Sequence, residues 1–322
     1  MSRVLITGAA GYVGSALVHQ LLSSGKQVTG LDCLTYGAQS LLSVLYRPDF
    51  RLVVGDLCDP QTVADALTGV TDVVHLAGIV GDPACAKNPD LAEKVNWIGA
   101  KDLFDRCVET GSVRRFVFAS TCSNYGKMKD TEWVQESSPL HPVSLYAELK
   151  VRFEQYILES ANELVVTPLR FSTAYGISPR PRFDLTVNEF TREIVLKRPL
   201  RIFGEQFWRP YCHVQDLARA CGLVLDSPRD KVDRRVFGVG ATDENYQKKT
   251  LAELLLKRYP DASIEYVHKN EDPRDYRVNF SRIHDELGFR ITKTVPEGIE
   301  EYAYAIEKNI ISDPDNPRYG NI

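Results

Sequence analysis

The turn Gly8-Ala9-Ala10-Gly11-Tyr12-Val13-Gly14 constrains this chain more than any other stretch. It follows the apolar run Val4-Leu5-Ile6 and opens a segment whose Val13, Leu17 and Leu21 fall on one helical face, with Val18 and Leu22 beside them. Glycines between a buried strand and an amphipathic helix let the backbone turn tightly and let a pyrophosphate come close to it. The helix N-terminus then points its free N–H groups at that anion. The spacing is GxxGxxG rather than GxGxxG.

The rest of the first half supplies the sheet that such a turn belongs to. Strands are predicted at Arg3–Thr7, Gln27–Leu31, Arg51–Val54, Asp72–Leu76, Arg115–Ala119 and Leu164–Arg170. Helices are predicted from Gly11 to about Ser24, at Pro60–Leu67, Asp90–Thr110 and Tyr146–Ser160. This alternation implies an α/β fold, a doubly wound parallel sheet of Rossmann type with helices on both faces. After Arg170 the rhythm breaks into shorter, Arg- and Pro-rich segments, with helices expected at Asp184–Lys197, Val214–Leu225, Thr250–Arg258 and Pro296–Lys308. The division expected is a dinucleotide-binding domain over residues 1–170 and a smaller α/β substrate-binding part over 171–322, some of whose segments pack back on the first. The polar stretch from Ser312 to Ile322, with two prolines, is expected to fray.

Composition excludes several classes. A net charge of −4 gives no footprint for nucleic acid. The longest apolar runs have strand length, so no membrane span is expected, and the N-terminus enters a strand with no signal-peptide pattern. The seven cysteines, Cys33, Cys58, Cys85, Cys107, Cys122, Cys212 and Cys221, form no CxxC and no Cys/His cluster. Reduced thiols in a cytoplasmic protein, and no metal, are the expectation.

Asp32 ends the second strand, where a carboxylate can accept hydrogen bonds from the adenosine ribose and would repel a 2′-phosphate, favouring NAD over NADP. Asp56, after the third strand, is placed to touch adenine or to cap a helix. Further on, Tyr146 and Lys150 lie four residues apart on one face of a helix. An ammonium beside a phenol favours the phenolate, and the Thr121 hydroxyl can share a substrate proton with it. These are the parts for taking a proton from a sugar alcohol while a nicotinamide takes its hydride.

Together these motifs make the chain similar to the extended short-chain dehydrogenase/reductase family, in its nucleotide-sugar epimerase and dehydratase branch. The residues that carry the resemblance are the Gly8–Gly14 turn, Asp32, Asp56-Leu57, His75-Leu76-Ala77-Gly78, Asn96, Ser120-Thr121-Cys122-Ser123-Asn124-Tyr125-Gly126, Tyr146 with Lys150, Arg170, Tyr175-Gly176, Arg209 and His213-Val214. The resemblance implies NAD as cofactor, held by Gly8, Gly11, Tyr12, Val13, Gly14, Asp32, Asp56, Leu57, Leu76, Ala77, Gly78, Asn96, Tyr146 and Lys150. It implies Tyr146 as base, Lys150 on the nicotinamide ribose and Thr121 on the reacting hydroxyl. It also implies a nucleotide-diphosphate sugar as partner, touched by Thr121, Cys122, Ser123, Thr173, Arg209 and Arg274, and a homodimer formed through the helices at Asn96–Thr110 and Tyr146–Ser160.

Two stretches resemble a subgroup some of whose members oxidise or epimerise C4 of nucleotide-activated heptoses: Ala77 to Cys85, and Gly176 to Asn188. In the second, Arg180 and Arg182 either touch the diphosphate or sugar or belong to a solvated loop, and Asn188 is a further expected substrate contact. The dehydratases of the family carry Asp-Glu directly after the catalytic threonine, where this chain has Cys122-Ser123. Asn gives way to Thr173 before Tyr175-Gly176, an acid to Pro210 after Arg209, and the late basic element reads Asp272-Pro273-Arg274-Asp275-Tyr276. The reading that follows is a 4-epimerase working through a transient 4-keto sugar. The alternatives are a C4 dehydrogenase that releases the keto sugar, a 4,6-dehydratase, an NADPH reductase and a non-catalytic NAD-binding protein.

Overall fold

The computed structural model describes residues 2–127, 133–161, 163–267 and 274–321. Asp272, Pro273 and Ile322 lie outside these described residues. Seven parallel strands form the main sheet: β1 (Arg3–Thr7), β2 (Gln27–Asp32), β3 (Phe50–Val54), β4 (Asp72–His75), β5 (Arg115–Thr121), β6 (Val165–Phe171) and β7 (Phe237–Val239). Their order is β7-β6-β5-β4-β1-β2-β3. Consecutive additions run outward in both directions from β1, so the carboxyl ends of β1 and β4 border a topological switch point, where open α/β sheets bind ligands.

Helix α1 (Tyr12–Ser23) buries Leu17, Val18, Leu21 and Leu22 against one sheet face. Helix α2 (Leu145–Glu159) buries Leu149, Phe153 and Ile157. Phe153 lies with Phe104, Phe116 and Phe118 in a second cluster on the opposite side of the sheet. The helix expected at Asp90–Thr110 is three consecutive pieces, Pro89–Glu93, a π-helical Lys94–Gly99 and Ala100–Thr110. Such π segments concentrate at functional sites, and this one carries Asn96.

The second half does two jobs. Helix α3 (Val214–Asp226) packs along α1, with Gln20 Nε2 donating to the Gln215 carbonyl, and β7 extends the parallel sheet beside β6. The remainder builds a small sheet from Thr173–Tyr175, Trp208–His213 and Asn245–Gln247. A separate core including Val187, Phe190, Ile202, Tyr211 and Leu251 lies against it. Parallel pairing of Thr173–Tyr175 with Tyr211–His213 ties this sheet to the segment leaving β6. The terminal stretch does not fray as expected over its described residues. The Tyr319 carbonyl accepts from Phe183 N at 2.8 Å, and the Tyr319 ring packs on Phe183.

Candidate active site

The glycine turn has the geometry its residues require. Gly8 adopts φ +73°, and a Cβ on Gly14 would sit 2.0 Å from the Gly8 carbonyl oxygen. The first turn of α1 is capped by no side chain and holds no acidic residue, which leaves its N–H groups and dipole to an anion. Asp32, at the end of β2, accepts from Ala10 N at 2.9 Å and Leu34 N at 2.8 Å. Its two oxygens retain lone pairs for ribose hydroxyls. Asp56 is exposed and caps a turn through Cys58 N, while the following helix, Pro60–Ala66, is capped by Asp59. The helix-cap role considered for Asp56 therefore belongs to Asp59. Leu57 is buried in the core beneath this edge. These features fit a dinucleotide at the switch point.

At the end of β4, Leu76, Ala77 and Gly78 pass over the glycine turn, Ala77 N donating to Thr7 Oγ1. Asn96 is buried, and its amide is committed to the Ile79 backbone, accepting from N at 2.8 Å and donating to O at 2.9 Å. It fixes the loop leaving β4, and a Cβ on Gly78 would lie 2.9 Å from its Oδ1.

Thr121 ends β5 and Tyr146 lies in the first turn of α2, which puts the Thr121 hydroxyl on the side of the phenol where it favours the ionised form. Thr121 Oγ1 accepts from Ser123 N at 3.1 Å, which leaves its own proton free to be donated. Lys150 is buried, with Nζ donating to the Ala119 carbonyl at 2.8 Å and lying 5.9 Å from the Tyr146 ring centre. Burial pulls its ammonium down to about 8. The Tyr146 phenol is pushed above its ordinary value, first by burial and then by Cys85 and Asp82, against the Thr121 bond and Arg182. In the polypeptide alone burial dominates, and the groups that lower the phenol are Thr121 and Arg182 rather than the expected Lys150. A bound cofactor that brought positive charge near the phenol would favour the phenolate.

Cys122 is buried, its thiol donating to the Arg170 carbonyl and pushed well up by burial. Burial holds it in the protonated form, which disfavours a role as base. Ser123 faces the second half, its Oγ 3.4 Å from the Tyr276 hydroxyl. Arg209, from the strand Trp208–His213, lies 5.4 Å from the Tyr276 ring centre. Arg274 pairs with Asp82 at 2.8 Å, and Asp82 accepts from Ser144 Oγ next to Tyr146. Arg209, Arg274 and Tyr276 therefore gather opposite the Thr121–Tyr146 pair. Tyr276 was missed as a site residue, and its place two residues after Arg274 was the available signal. Thr173 sits on the strand that pairs with Trp208–His213.

The remaining predicted contacts lie elsewhere. Asn188 is buried and spends its amide on Gly176 N, Tyr12 Oη, the Arg182 carbonyl and Tyr302 Oη. Arg182 pairs with Asp184 at 2.6 Å, 5.9 Å from the Tyr12 ring centre. Arg180 lies beside Tyr36 and Asp32, at the β2 end of the cleft. A groove of about 630 Å³ at the opposite end of the strands is lined by Lys26, Asp72, Arg114 and Asp226, which pair with one another. It contains none of the hydroxyl groups described above.

His75 explains itself as structure. Thr7 Oγ1 accepts from Ala77 N and shares a hydrogen bond of 2.8 Å with His75 Nδ1, and the ring stacks on Phe118. Burial, aided by Lys150, pulls its pKa down to about 3. A neutral buried histidine contributes stability that is complete above about pH 6.5 and is lost as the pH falls towards 3. His75→Phe is expected to lose less stability than the wild type between about pH 6.5 and 4, read from urea unfolding at each pH. Parallel curves would show that another group sets the acid limb.

Among the described residues no group of His, Cys, Asp and Glu is arranged to hold a metal, and no helix is long and apolar enough to cross a membrane. All seven cysteines are free.

A seven-stranded Rossmann sheet with a glycine turn and a Thr/Tyr/Lys set defines an extended short-chain dehydrogenase/reductase. The chain matches the NAD dependent epimerase/dehydratase family over residues 4–240, and it belongs to that family. It is 30% identical over 310 residues to a dTDP-glucose 4,6-dehydratase of Streptomyces griseus, covering 92% of each chain. It is 29% identical over 326 residues to UDP-glucuronate 4-epimerase 3 of Arabidopsis thaliana, covering 93% of this chain and 75% of the relative. Among solved structures, MoeE5 in complex with UDP-glucuronic acid and NAD superposes with a TM-score of 0.82 at 25% identity, over 96% of this chain and 100% of the other. The protein is an NAD-dependent nucleotide-sugar enzyme of the epimerase/dehydratase type.

Proposed function

We propose that this enzyme is a nucleotide-sugar 4-epimerase working through a transient 4-keto sugar. The observation that carries this reading is the Thr121–Tyr146–Lys150 set beside a buried Cys122 and a Ser123 that hydrogen-bonds Tyr276. Bound NAD supplies the acceptor, and then the donor, of the C4 hydride. Tyr146 as phenolate takes the C4 hydroxyl proton, with Thr121 holding that hydroxyl, and returns the proton after the keto sugar has turned over. Dehydration would need a carboxylic acid and a carboxylate at C6 and C5. The two positions after Thr121 offer a thiol that burial keeps protonated and a hydroxyl.

Arg209 and Arg274 are suited to the sugar nucleotide's diphosphate, because a planar guanidinium matches phosphate oxygens. A homodimer through Asn96–Thr110 and Tyr146–Ser160 is supported by the exposed Ile98 and Val108 on the first of these segments. The free cysteines fit a cytoplasmic setting.

The test is purified protein with no added cofactor, given UDP-, dTDP-, GDP- and ADP-sugars, heptoses included. A new product of unchanged mass is expected. A product two mass units lighter with NADH accumulating would overturn epimerisation in favour of a C4 dehydrogenase, and loss of water would make the enzyme a dehydratase.

A further inference from the structure

Arg180 lies far along the chain from the glycine turn, yet the fold brings it to the cofactor end of the cleft. The loop Gly176–Arg182 is fastened to the first turn of α1. Tyr12 Oη donates to the Gly176 carbonyl at 2.5 Å, Ser178 Oγ donates to the Tyr12 carbonyl at 2.5 Å, and Ser178 Oγ meets Ser15 Oγ at 3.2 Å. Two residues on, the Arg180 guanidinium stacks on Tyr36 at 4.0 Å, within electrostatic reach of Asp32.

Arg180 as a residue is 7% exposed. Its Nη2 donates to the carbonyls of Gly320 at 3.1 Å and Arg318 at 3.4 Å, so the C-terminal stretch holds it from behind. Its Nε has no hydrogen-bond partner, and among the described residues no carboxylate lies within ion-pair distance of it. A buried cation with an unused donor is costly unless a ligand completes it. The neighbouring charges are Arg182, Asp184 and Asp32, with the Tyr36 phenol beside them, and burial together with Arg182 disfavours the charge. Arg182 already has Asp184 as its partner, which leaves Arg180 for something that arrives. The uncapped N-terminus of α1 is the adjoining anion site.

We propose that Arg180 is a contact for the diphosphate of the bound dinucleotide, delivered by the second half of the chain and locked by the C-terminal stretch. The clamp closes over the cofactor at the adenosine side, away from the hydroxyl pair. It gives a physical reason for a cofactor that is regenerated in place to stay bound through the cycle. The same chemistry would suit a sugar nucleotide's diphosphate. The company of Tyr36, Asp32 and Ser178 assigns it to the dinucleotide.

The test compares full-length wild type, Arg180→Gln and a chain ending at Pro317. NAD retained through gel filtration is counted by acid release, and binding of NAD, ADP-ribose, adenosine and UDP is titrated. Loss of a charge-assisted hydrogen bond should weaken NAD and ADP-ribose about 10- to 100-fold in Arg180→Gln. Adenosine and UDP should change less than about 3-fold, and the shortened chain should show the same pattern at smaller size. Unchanged NAD and ADP-ribose binding would overturn the proposal. So would an equal loss for adenosine, which would mean that Arg180 only shapes the ribose pocket, or a loss confined to UDP, which would move it to the sugar nucleotide. If Arg180→Gln fails to fold, the shortened chain and Arg180→Lys, which keeps the charge without the fork, carry the same readouts.

Discussion

Replacing Tyr146 by phenylalanine is expected to lower turnover by about two to four orders of magnitude while the protein keeps its NAD. The phenol is the only group of the hydroxyl set placed to take a proton. The Thr121 hydroxyl is too weak an acid to serve alone, and its oxygen is held by the Ser123 N–H. Lys150 Nζ is held by the Ala119 carbonyl below the tyrosine ring, and its distance of 5.9 Å from that ring's centre suits it to setting the local field. Phenylalanine keeps the ring's packing against Leu149, Cys85 and Ile79, so the lost oxygen is what the measurement reads. The check is kcat together with NAD content per chain. Turnover within about 10-fold of wild type would place the base elsewhere, and loss of NAD would make Tyr146 a cofactor anchor first.

The first half of the fold was legible because its signals are local. A buried parallel strand and an amphipathic helix each announce themselves by periodicity, and β1, β2 and α1 fall within a residue or so of where Val4–Ile6, Gln27–Leu31 and Leu17–Leu22 put them. Strand β7 carried no such signal. Phe237-Gly238-Val239 is three residues long and acquires meaning only by lying beside Leu169–Phe171. The π segment at Lys94–Gly99 was hidden inside an acceptable helical pattern. The placing of Tyr146 and Lys150 together was readable because a tyrosine and a lysine one helical turn apart share a face. The placement of Arg180 was not, since its neighbours Tyr36 and Gly320 are remote in sequence and meet only through the tertiary fold. Asn188 read as a polar group available to a ligand, yet its amide bridges four groups of the protein itself.

Glu154→Ala is expected to cost about 3–5 kcal/mol and to lower the melting temperature by roughly 10 °C, a larger stability loss than any other single change considered above. The residue continues the series Tyr146, Lys150, Glu154 down one face of α2, a four-residue spacing that runs among Leu149, Phe153 and Ile157. A carboxylate there is under 3% exposed and pairs with Arg170 at 2.6 Å, itself 5% exposed. Ser120 Oγ donates to it at 2.5 Å, and Asn124 Nδ2 donates to the Ser120 oxygen. Arg170 in turn donates to Tyr125 Oη and the Glu136 carbonyl. Removing the carboxylate leaves a buried guanidinium and a buried serine hydroxyl without their acceptor, and that uncompensated charge sets the size of the effect. Glu154→Gln fills the space and keeps an acceptor, so it should recover part of the loss but not the charge pairing. Because Ser120 precedes Thr121 on β5, the Gln variant should also raise KM or lower kcat at temperatures where it is fully folded, through a displaced Thr121. Calorimetry with kinetics at a low temperature separates the two effects. A Glu154→Ala protein that melts within about 2 °C of wild type would show that water or a shifted Glu136 takes over the arginine.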